Sequence, residues 1–411
     1  MIVAIPVILG TNSQLIALSI QKIGKAMEAI KFPAIDFQSD LVEKIVELER
    51  IRGELGTGST PAELFLELHA LFKLLTSIAS ARIEGNHTTI LDAVIGVRDN
   101  VASDRKPVDS IQEILNIQKA MAFIDASDLA SDISHSYIRE LHRIAVEGLV
   151  REGDPTPGQY RTVNVEIGQS KHRPPEHYSV HSDMSTLLDF VNQPAKTHEQ
   201  LLHVAIAHHR FLWIHPFQNG NGRVSRLLTY AMLAKHGFVS PTGLRAMNPT
   251  AVFGSDRNEY YDGLSAADRG LEDGEDSGLL QWCTFFMTGI YGDLERLRSL
   301  QNFDFVVSAL IVPSLERFLS AGKITAIERE ILIRAVLEES IKAGDIVDLV
   351  PGTPSQRSIA LRDLIERRLL IPQKDGGRIY HLSLAPNELT PFIVGQLDAL
   401  GYLPTILKDA T

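Results

Sequence analysis

The chain has one cysteine, Cys283, in 411 residues, which rules out an internal disulfide framework and leaves no cysteine cluster for a structural zinc. Such usage fits a reducing compartment, so a cytoplasmic location is expected, and Cys283 reads as a small buried hydrophobe beside Trp282 and Phe285. Basic residues are in deficit: 40 Lys and Arg against 51 Asp and Glu leave a net charge of −11. That balance argues against bulk attraction to nucleic acid or anionic lipid, whose phosphates are bound mainly by Lys and Arg. The apolar opening Met1 to Gly10 lacks a basic flank and is too short to span a bilayer, so neither a secretion signal nor a membrane anchor is expected. Internal repeats are missing as well. What remains, 44% hydrophobic and 22% charged, is ordinary globular usage with length for two or three cores.

Apolar residues recur at three- and four-residue spacing through Leu41 to Leu55, Ala62 to Ile83, Ile111 to Ile124, Ile133 to Leu149, Glu199 to Phe211, Arg223 to His236 and Leu279 to Leu300, which predicts a mainly α fold. The Gly- and Pro-rich stretch Arg151 to Pro175 reads as a loop carrying one short strand, Val163-Val165-Ile167, ending at Gly168. Gly270 to Gly278 reads as a surface connection. Near the C-terminus, helices at Ile324 to Ser340, Ile341 to Leu349 and Ser355 to Leu370, followed by a hairpin about Asp375-Gly376-Gly377, describe a winged helix. The expected organisation is an N-terminal helical region at 1–105, a core at 106–305 and the winged helix at 306–411. Over Lys323 to Tyr380 ten basic residues face nine acidic ones, a balance of +1. Arg357, Arg362, Arg367 and Arg368 keep DNA contact open, but protein docking or dimerisation suits the near-neutral balance better.

The segment His215-Pro216-Phe217-Gln218-Asn219-Gly220-Asn221-Gly222-Arg223-Val224-Ser225-Arg226 joins the end of one helix to the start of the next. Such a loop is an anion site by construction. Glycines permit close backbone approach, free N–H groups converge, and the helix dipole favours negative charge. Arg223 and Arg226, three apart, share a helix face and can fork onto phosphate oxygens. His215, directly before this cradle, titrates in the range a general base needs.

This ordered combination resembles the Fic family signature, His-Pro-Phe-x-Asp/Glu-Gly-Asn-Gly-Arg-x-x-Arg. The resemblance extends upstream, where Ser80-Ala81-Arg82-Ile83-Glu84-Gly85 is similar to the family's inhibitory motif. Gly158-Gln159-Tyr160-Arg161 and Val163 to Gly168 are similar to its β-hairpin flap, and Asn258-Glu259-Tyr260-Tyr261 to the segment that closes over the nucleoside. It implies a Fic-type helical core and adenylyl transfer from ATP to a Ser, Thr or Tyr hydroxyl of a target protein. His215 would be the base. Gly220, Asn221, Gly222, Arg223 and Arg226 would hold the phosphates, Ile167, Gly168, Gln169 and Ser170 would border the nucleotide, and Asn258 and Tyr261 would close over the nucleoside. Ser80 and Glu84 would hold the site off. A target would add a strand to the flap, and self-modification or a homodimer is compatible with this plan. Removal of AMP, transfer of another phosphate-bearing group, and a non-catalytic nucleotide sensor that binds DNA are the rival functions.

One position departs from the signature. Asn219 stands where the family places Asp or Glu for Mg²⁺; an amide oxygen is a hard ligand without charge, so a more metal-demanding enzyme is expected. His142, His208 and His209 lack a metal-ligand pattern and read as packing or surface residues, and His172 reads as part of a solvated flap tip.

Overall fold

The computed structural model describes residues 29–54, 58–101, 107–128, 130–168, 170–238, 253–254, 256–384 and 386–408; the apolar opening and Gln169 lie outside them. The expected helical character is borne out. Helix Asp40–Glu54 buries the stripe Leu41, Ile45, Leu48, Ile51 against helix Ser277–Leu300, as its periodicity requires. Helix Ala62–Ile83 is apolar nearly all round and long enough to cross a membrane by composition, but it is packed inside the protein. Its neighbour is Asp109–Ala126, which in turn packs on His135–Val146. The pair Gln200–Ile214 and Asn221–Lys235 closes the core from the other side. One hydrophobic core runs from Leu41 to Leu407, through all three expected regions.

Among the described residues five longer helices were not expected from spacing alone: Ile90–Val101, Val180–Asn192, Arg257–Asp273, Val312–Ser320 and Thr390–Ala399. Arg257–Asp273 has an N-cap the sequence does spell out, since the Asp256 carboxylate accepts from Asn258 N and Glu259 N.

One expectation about a strand and one about a helix need correction. Val163 to Gly168 is extended but is not a strand, because among the described residues no second segment pairs with it. The described sheet is the C-terminal hairpin expected about Asp375-Gly376-Gly377, Leu370–Pro372 with Tyr380–Leu382, in the register Leu370 to Leu382. The expected helix Ile341 to Leu349 is also absent. That segment is a run of turns whose first residue, Ile341, forms a single antiparallel bridge to Tyr380. Helices Ala326–Leu337 and Pro354–Glu366 are present, each opened by a Thr capping box.

The C-terminal region grips helix Ala62–Ile83 at both ends. Glu67 Oε2 accepts from Leu384 N at 2.6 Å and Ser383 Oγ at 3.1 Å, and Arg82 Nη1 donates to the Ile406 carbonyl at 2.7 Å.

Candidate active site

Helix Gln200–Ile214 stops at His215, which is left-handed at φ 51°. A non-glycine residue in that region stores strain and persists only where its surroundings dictate it. Arg161 supplies them. Its Nε donates to the His215 carbonyl at 2.8 Å and its Nη groups to the carbonyls of Val163, Pro175 and Ile214. Its own N–H reaches Pro216 O at 2.9 Å. A 2% exposed arginine thus ties the turn at His215 to both arms of the segment facing it.

The His215 ring sets its Nδ1 3.4 Å from the Leu212 carbonyl, an atom that only accepts, which leaves the lone pair on Nε2. Burial pushes the imidazole down to about 4, with Arg161 and His172 adding to the drop against the opposing Leu212 carbonyl and Glu84. At neutral pH the ring is therefore an unprotonated acceptor.

Six residues on, helix Asn221–Lys235 begins after Gly220, at φ 77°. Its first N–H groups have no intrahelical acceptor, and a carboxylate already sits over them. A Cβ added at Gly222 would lie 2.1 Å from Glu84 Oε1, so glycine is what allows this approach. The same oxygen accepts from Arg226 Nη2 at 2.6 Å. Arg226 also donates through Nε to Ser80 Oγ at 2.9 Å and through Nη2 to Ser80 O at 3.1 Å. Ser80 and Glu84 reach the arginine together because helix Ala62–Ile83 ends in a Gly85 turn at φ 95°. Burial alone would raise the Glu84 pKa. The Arg226 and Arg223 charges and the Arg226 hydrogen bond outweigh it and hold the carboxyl below the usual carboxylate range.

Arg223 is placed differently from its partner. It is 1% exposed, donates through Nη2 to Glu152 O at 2.6 Å, and lies 3.3 Å from Glu113 Oε1. Glu113 is fixed by Asn86 Nδ2 at 3.0 Å. Burial raises the Glu113 pKa although the Arg223 charge opposes this.

The loop between His215 and the helix is stapled by its own asparagines. Asn221 accepts from Phe217 N at 2.9 Å and donates to Phe217 O at 2.8 Å, so its side chain shapes the loop. Asn219 Oδ1 accepts from Gly220 N at 2.7 Å, and its Nδ2 donates to Gly153 O at 3.1 Å. One expectation changes here. The Gly220 amide is turned onto Asn219, leaving the amides from Asn221 onward for an anion. The Asn219 amide oxygen spends one of its two lone pairs on Gly220 N, and the adjacent Asp154 carboxylate already accepts from Thr156 N, Thr156 Oγ1 and Asn219 N. Among the described residues no cluster of three or more His, Cys, Asp or Glu side chains is arranged to hold a metal. At this loop the Asn219 and Asp154 side chains offer Mg²⁺ one neutral amide lone pair and no uncommitted carboxylate.

Around this centre the remaining predicted residues are spread out. Ile167, Gly168 and Ser170 lie at the turn that ends the segment from Val163, where Ser170 N donates to Ile167 O at 3.0 Å. His172 is buried rather than at a solvated tip. Its Nε2 lies 2.8 Å from Trp213 O, because the segment folds back over helix Gln200–Ile214. Asn258 is exposed in the first turn of helix Arg257–Asp273. Tyr261 is 46% exposed with the Arg257 guanidinium 5.7 Å above its ring. Its neighbour Tyr260 turns inward instead, beside Arg226, with its hydroxyl 3.0 Å from His208 Nε2.

Two side chains at the site, Asp154 and Glu113, were not expected from the sequence, and three more, His142, Arg161 and Tyr260, were expected there without a role of their own. His142 continues the buried stripe Ile138, Leu141, Ala145, and Glu113 with Asn116 continues that of Ile117 and Ala120. A polar residue on an apolar helix face was the available signal.

Residues 132–233 match the Fic/DOC family model. The chain is 34% identical over 198 residues to the protein adenylyltransferase Fic of Drosophila yakuba, a match covering 46% of this chain and 36% of that protein. It is 31% identical over 199 residues to the protein of the same name from Aedes aegypti, with the same coverage. The match thus spans about a third of the length of these curated relatives. Among solved structures, a Fic family protein from Desulfovibrio desulfuricans G20 aligns with a TM-score of 0.52 at 20% identity, covering 85% of this chain and 98% of that one. At that identity the likeness concerns the fold.

Proposed function

Because the chain carries a Fic/DOC domain over residues 132–233, we propose that it is a protein adenylyltransferase that moves AMP from ATP to a hydroxyl of a target protein and is restrained by Glu84. The observation that carries this reading is the carboxylate of Glu84 seated on the N-terminus of helix Asn221–Lys235 and bonded to Arg226. An anion seat is built there, and the protein's own anion fills it. A triphosphate displacing Glu84 would meet the free N–H groups of the helix start and gain the same guanidinium. The target hydroxyl then attacks the α-phosphorus, its proton passes to His215 Nε2, and the bond to the bridging oxygen breaks as pyrophosphate leaves. While Arg226 holds Glu84 it is withheld from the γ-phosphate, so the α-phosphate lacks the pose for in-line attack. No step here passes through a protein-held metal.

The extended segment Val163 to Gly168 supports docking of the target as an added strand, since its backbone has no strand partner of its own among the described residues. For the C-terminal region, docking to protein is favoured over DNA. Arg357 Nη1 is committed to Gly352 O, and Arg367 to Asp363, Glu388 and Lys323 O, which leaves Arg362 and Arg368 exposed.

The test is incubation with ATP labelled at the α or the γ position. Label from α alone on protein is the expected result. Label from γ alone means phosphorylation, and no label with retained ATP binding means a sensor; either outcome overturns the reading.

A further inference from the structure

We infer that His142 and Asp154 are positioning residues that set the shape of the phosphate loop; this rests on the adenylyl-transfer reading only for what the loop holds. Both side chains are fully buried and come from different segments, helix His135–Val146 and the turn at 153–156. The Asn219 N–H donates to Asp154 Oδ2 at 2.9 Å, and the Asn219 carbonyl accepts from His142 Nε2 at 3.1 Å. The two peptide planes flanking Asn219 are therefore clamped separately, which fixes both torsions at the residue where the chain turns toward Gly220 and the helix N-terminus. The clamp is itself held. Gly158 N donates to His142 Nδ1 at 2.9 Å, and the Asp154 Oδ1 accepts from Thr156 N at 2.7 Å.

The tautomer of His142 follows from these bonds. Nδ1 accepts an N–H, so Nε2 must bear the proton it gives to Asn219 O, and only the neutral ring with this one tautomer satisfies both. Its plane stacks on Phe217, with centroids 3.7 Å apart and 8° between the rings, so the same side chain fixes the loop residue that Asn221 staples. A Cβ at Gly220 would meet Val146 Cγ1 at 2.9 Å and His142 Cδ2 at 3.4 Å, which shows how closely the turn is seated on this helix. His142 and Asp154 bond only loop and flap backbone in these contacts, and act on a bound phosphate through the direction in which the Asn221 and Gly222 amides point.

The test uses the full chain carrying Glu84→Gly, so that the seat is open, with three added changes. His142→Phe keeps the stack on Phe217 and removes both polar contacts. His142→Gln retains one amide donor for Asn219 O. Asp154→Asn keeps shape and volume while replacing an acceptor facing Asn219 N–H. ATP dissociation constants by calorimetry, transfer at saturating ATP, and amide hydrogen exchange at residues 219–222 are read together. His142→Phe and Asp154→Asn are expected to weaken ATP by at least tenfold and to speed exchange at Asn219 by a similar factor, and His142→Gln is expected to recover part of both. A purely structural role would lower the melting temperature and the active fraction but leave the affinity of the folded fraction unchanged, and that result overturns the inference. Failure of the functional reading shows separately: the Glu84→Gly protein with His142 intact would then bind no ATP. Exchange at residues 219–222 still reads the clamp in that case, and unchanged exchange in His142→Phe overturns it.

Discussion

The loop from Phe217 to Gly222 and the segment from Arg151 to Pro175 that faces it are both irregular, yet they are held in opposite ways. The loop backbone is bonded by the half-buried Asn219 and the buried Asn221 from within it and by the buried side chains of His142 and Asp154 from outside. In the facing segment beyond Gly158, buried Arg161 ties the arms at Val163 and Pro175 and buried His172 pins the return on Trp213 O, while the Arg173–Glu166 ion pair further out is solvent-exposed and worth little. A preformed cradle suits a ligand of fixed shape such as phosphate, because no ordering cost is left to meet on binding. A loosely tied extended edge suits partners of varying sequence, whose backbone is the constant feature.

The comparison is sharpened most by removing the base that stands where the two regions meet. His215→Ala is expected to lower transfer by roughly 10²- to 10⁴-fold, the range of general-base catalysis, while ATP affinity stays within a few fold because the cradle is untouched. Wild-type rates in this variant would remove His215 from the mechanism. The pH profile tests the same residue. Free His215 lies near 4, so the acid limb of kcat/KM should fall well below the ordinary histidine range. The limb of kcat should lie higher, since bound phosphate favours the imidazolium. Sign follows from the depressed value: the unfolded chain takes up a proton near 6.5 that the folded one refuses until about 4, so His215 costs stability as pH falls through that window. An acid limb at or above 6.5 for kcat/KM would contradict this placement.

Next in size is the anion seat. Glu84→Gly is expected to raise transfer by an order of magnitude or more, corresponding to at least ~1.4 kcal/mol of barrier, and adding Arg226→Ala should cancel the gain. Removing the carboxylate also leaves the buried Arg226 with Ser80 and Tyr260 beside it but without its counter-charge. The melting temperature of Glu84→Gly should therefore drop, by about 1–3 kcal/mol of stability given the partial exposure of Glu84, and recover with ATP. Equal labelling by wild type and Glu84→Gly would show that this helix does not restrain the site.

What the sequence made legible divides along the same line. The motif helix, its glycines, Arg226, Ser80 and Glu84 are local patterns with fixed spacing, and each sits where that spacing puts it. Glu113, Asp154, Arg161 and Tyr260 meet their partners across 54 or more residues in several cases, such as Arg161 with His215 and Asp154 with Asn219, and no local period encodes that. The strand expected at Val163 to Gly168 has the right alternation, but a strand exists through its ladder, and alternation does not supply a partner. The second C-terminal helix failed for a similar reason: Ile341 to Leu349 is apolar enough, but bridging Ile341 to Tyr380 draws its first residue into the hairpin. His172 was misplaced because Lys171 and Arg173 beside it are surface residues, and only the tertiary fold turns the ring between them onto Trp213.

Breaking the edge of the facing segment should separate target from nucleotide. Val165→Pro removes a backbone donor from Val163 to Gly168 and is expected to reduce transfer to the target several fold with no change in ATP affinity. An equal loss in both would mean that the segment belongs to the cradle.

The smallest effect is expected at Asn219. In isolation, a new negative charge about 4 Å from a divalent ion could contribute up to roughly 4 kcal/mol at an effective dielectric of 20, so Asn219→Asp looks like a large gain in Mg²⁺ affinity. The geometry argues otherwise. One oxygen of the aspartate would stay on Gly220 N, where Asn219 Oδ1 sits at 2.7 Å, and the other would face the Gly153 carbonyl that now accepts from Nδ2 at 3.1 Å. Two acceptors in contact lose a hydrogen bond and cost about 1–3 kcal/mol, so the variant should melt earlier. Its half-saturating Mg²⁺ should improve by less than about threefold, or ~0.7 kcal/mol. Titrating transfer against Mg²⁺ for both proteins reads this directly. An improvement beyond tenfold would show that residue 219 leaves its staple to reach a metal, and that the loop is less firmly preset than its hydrogen bonds indicate.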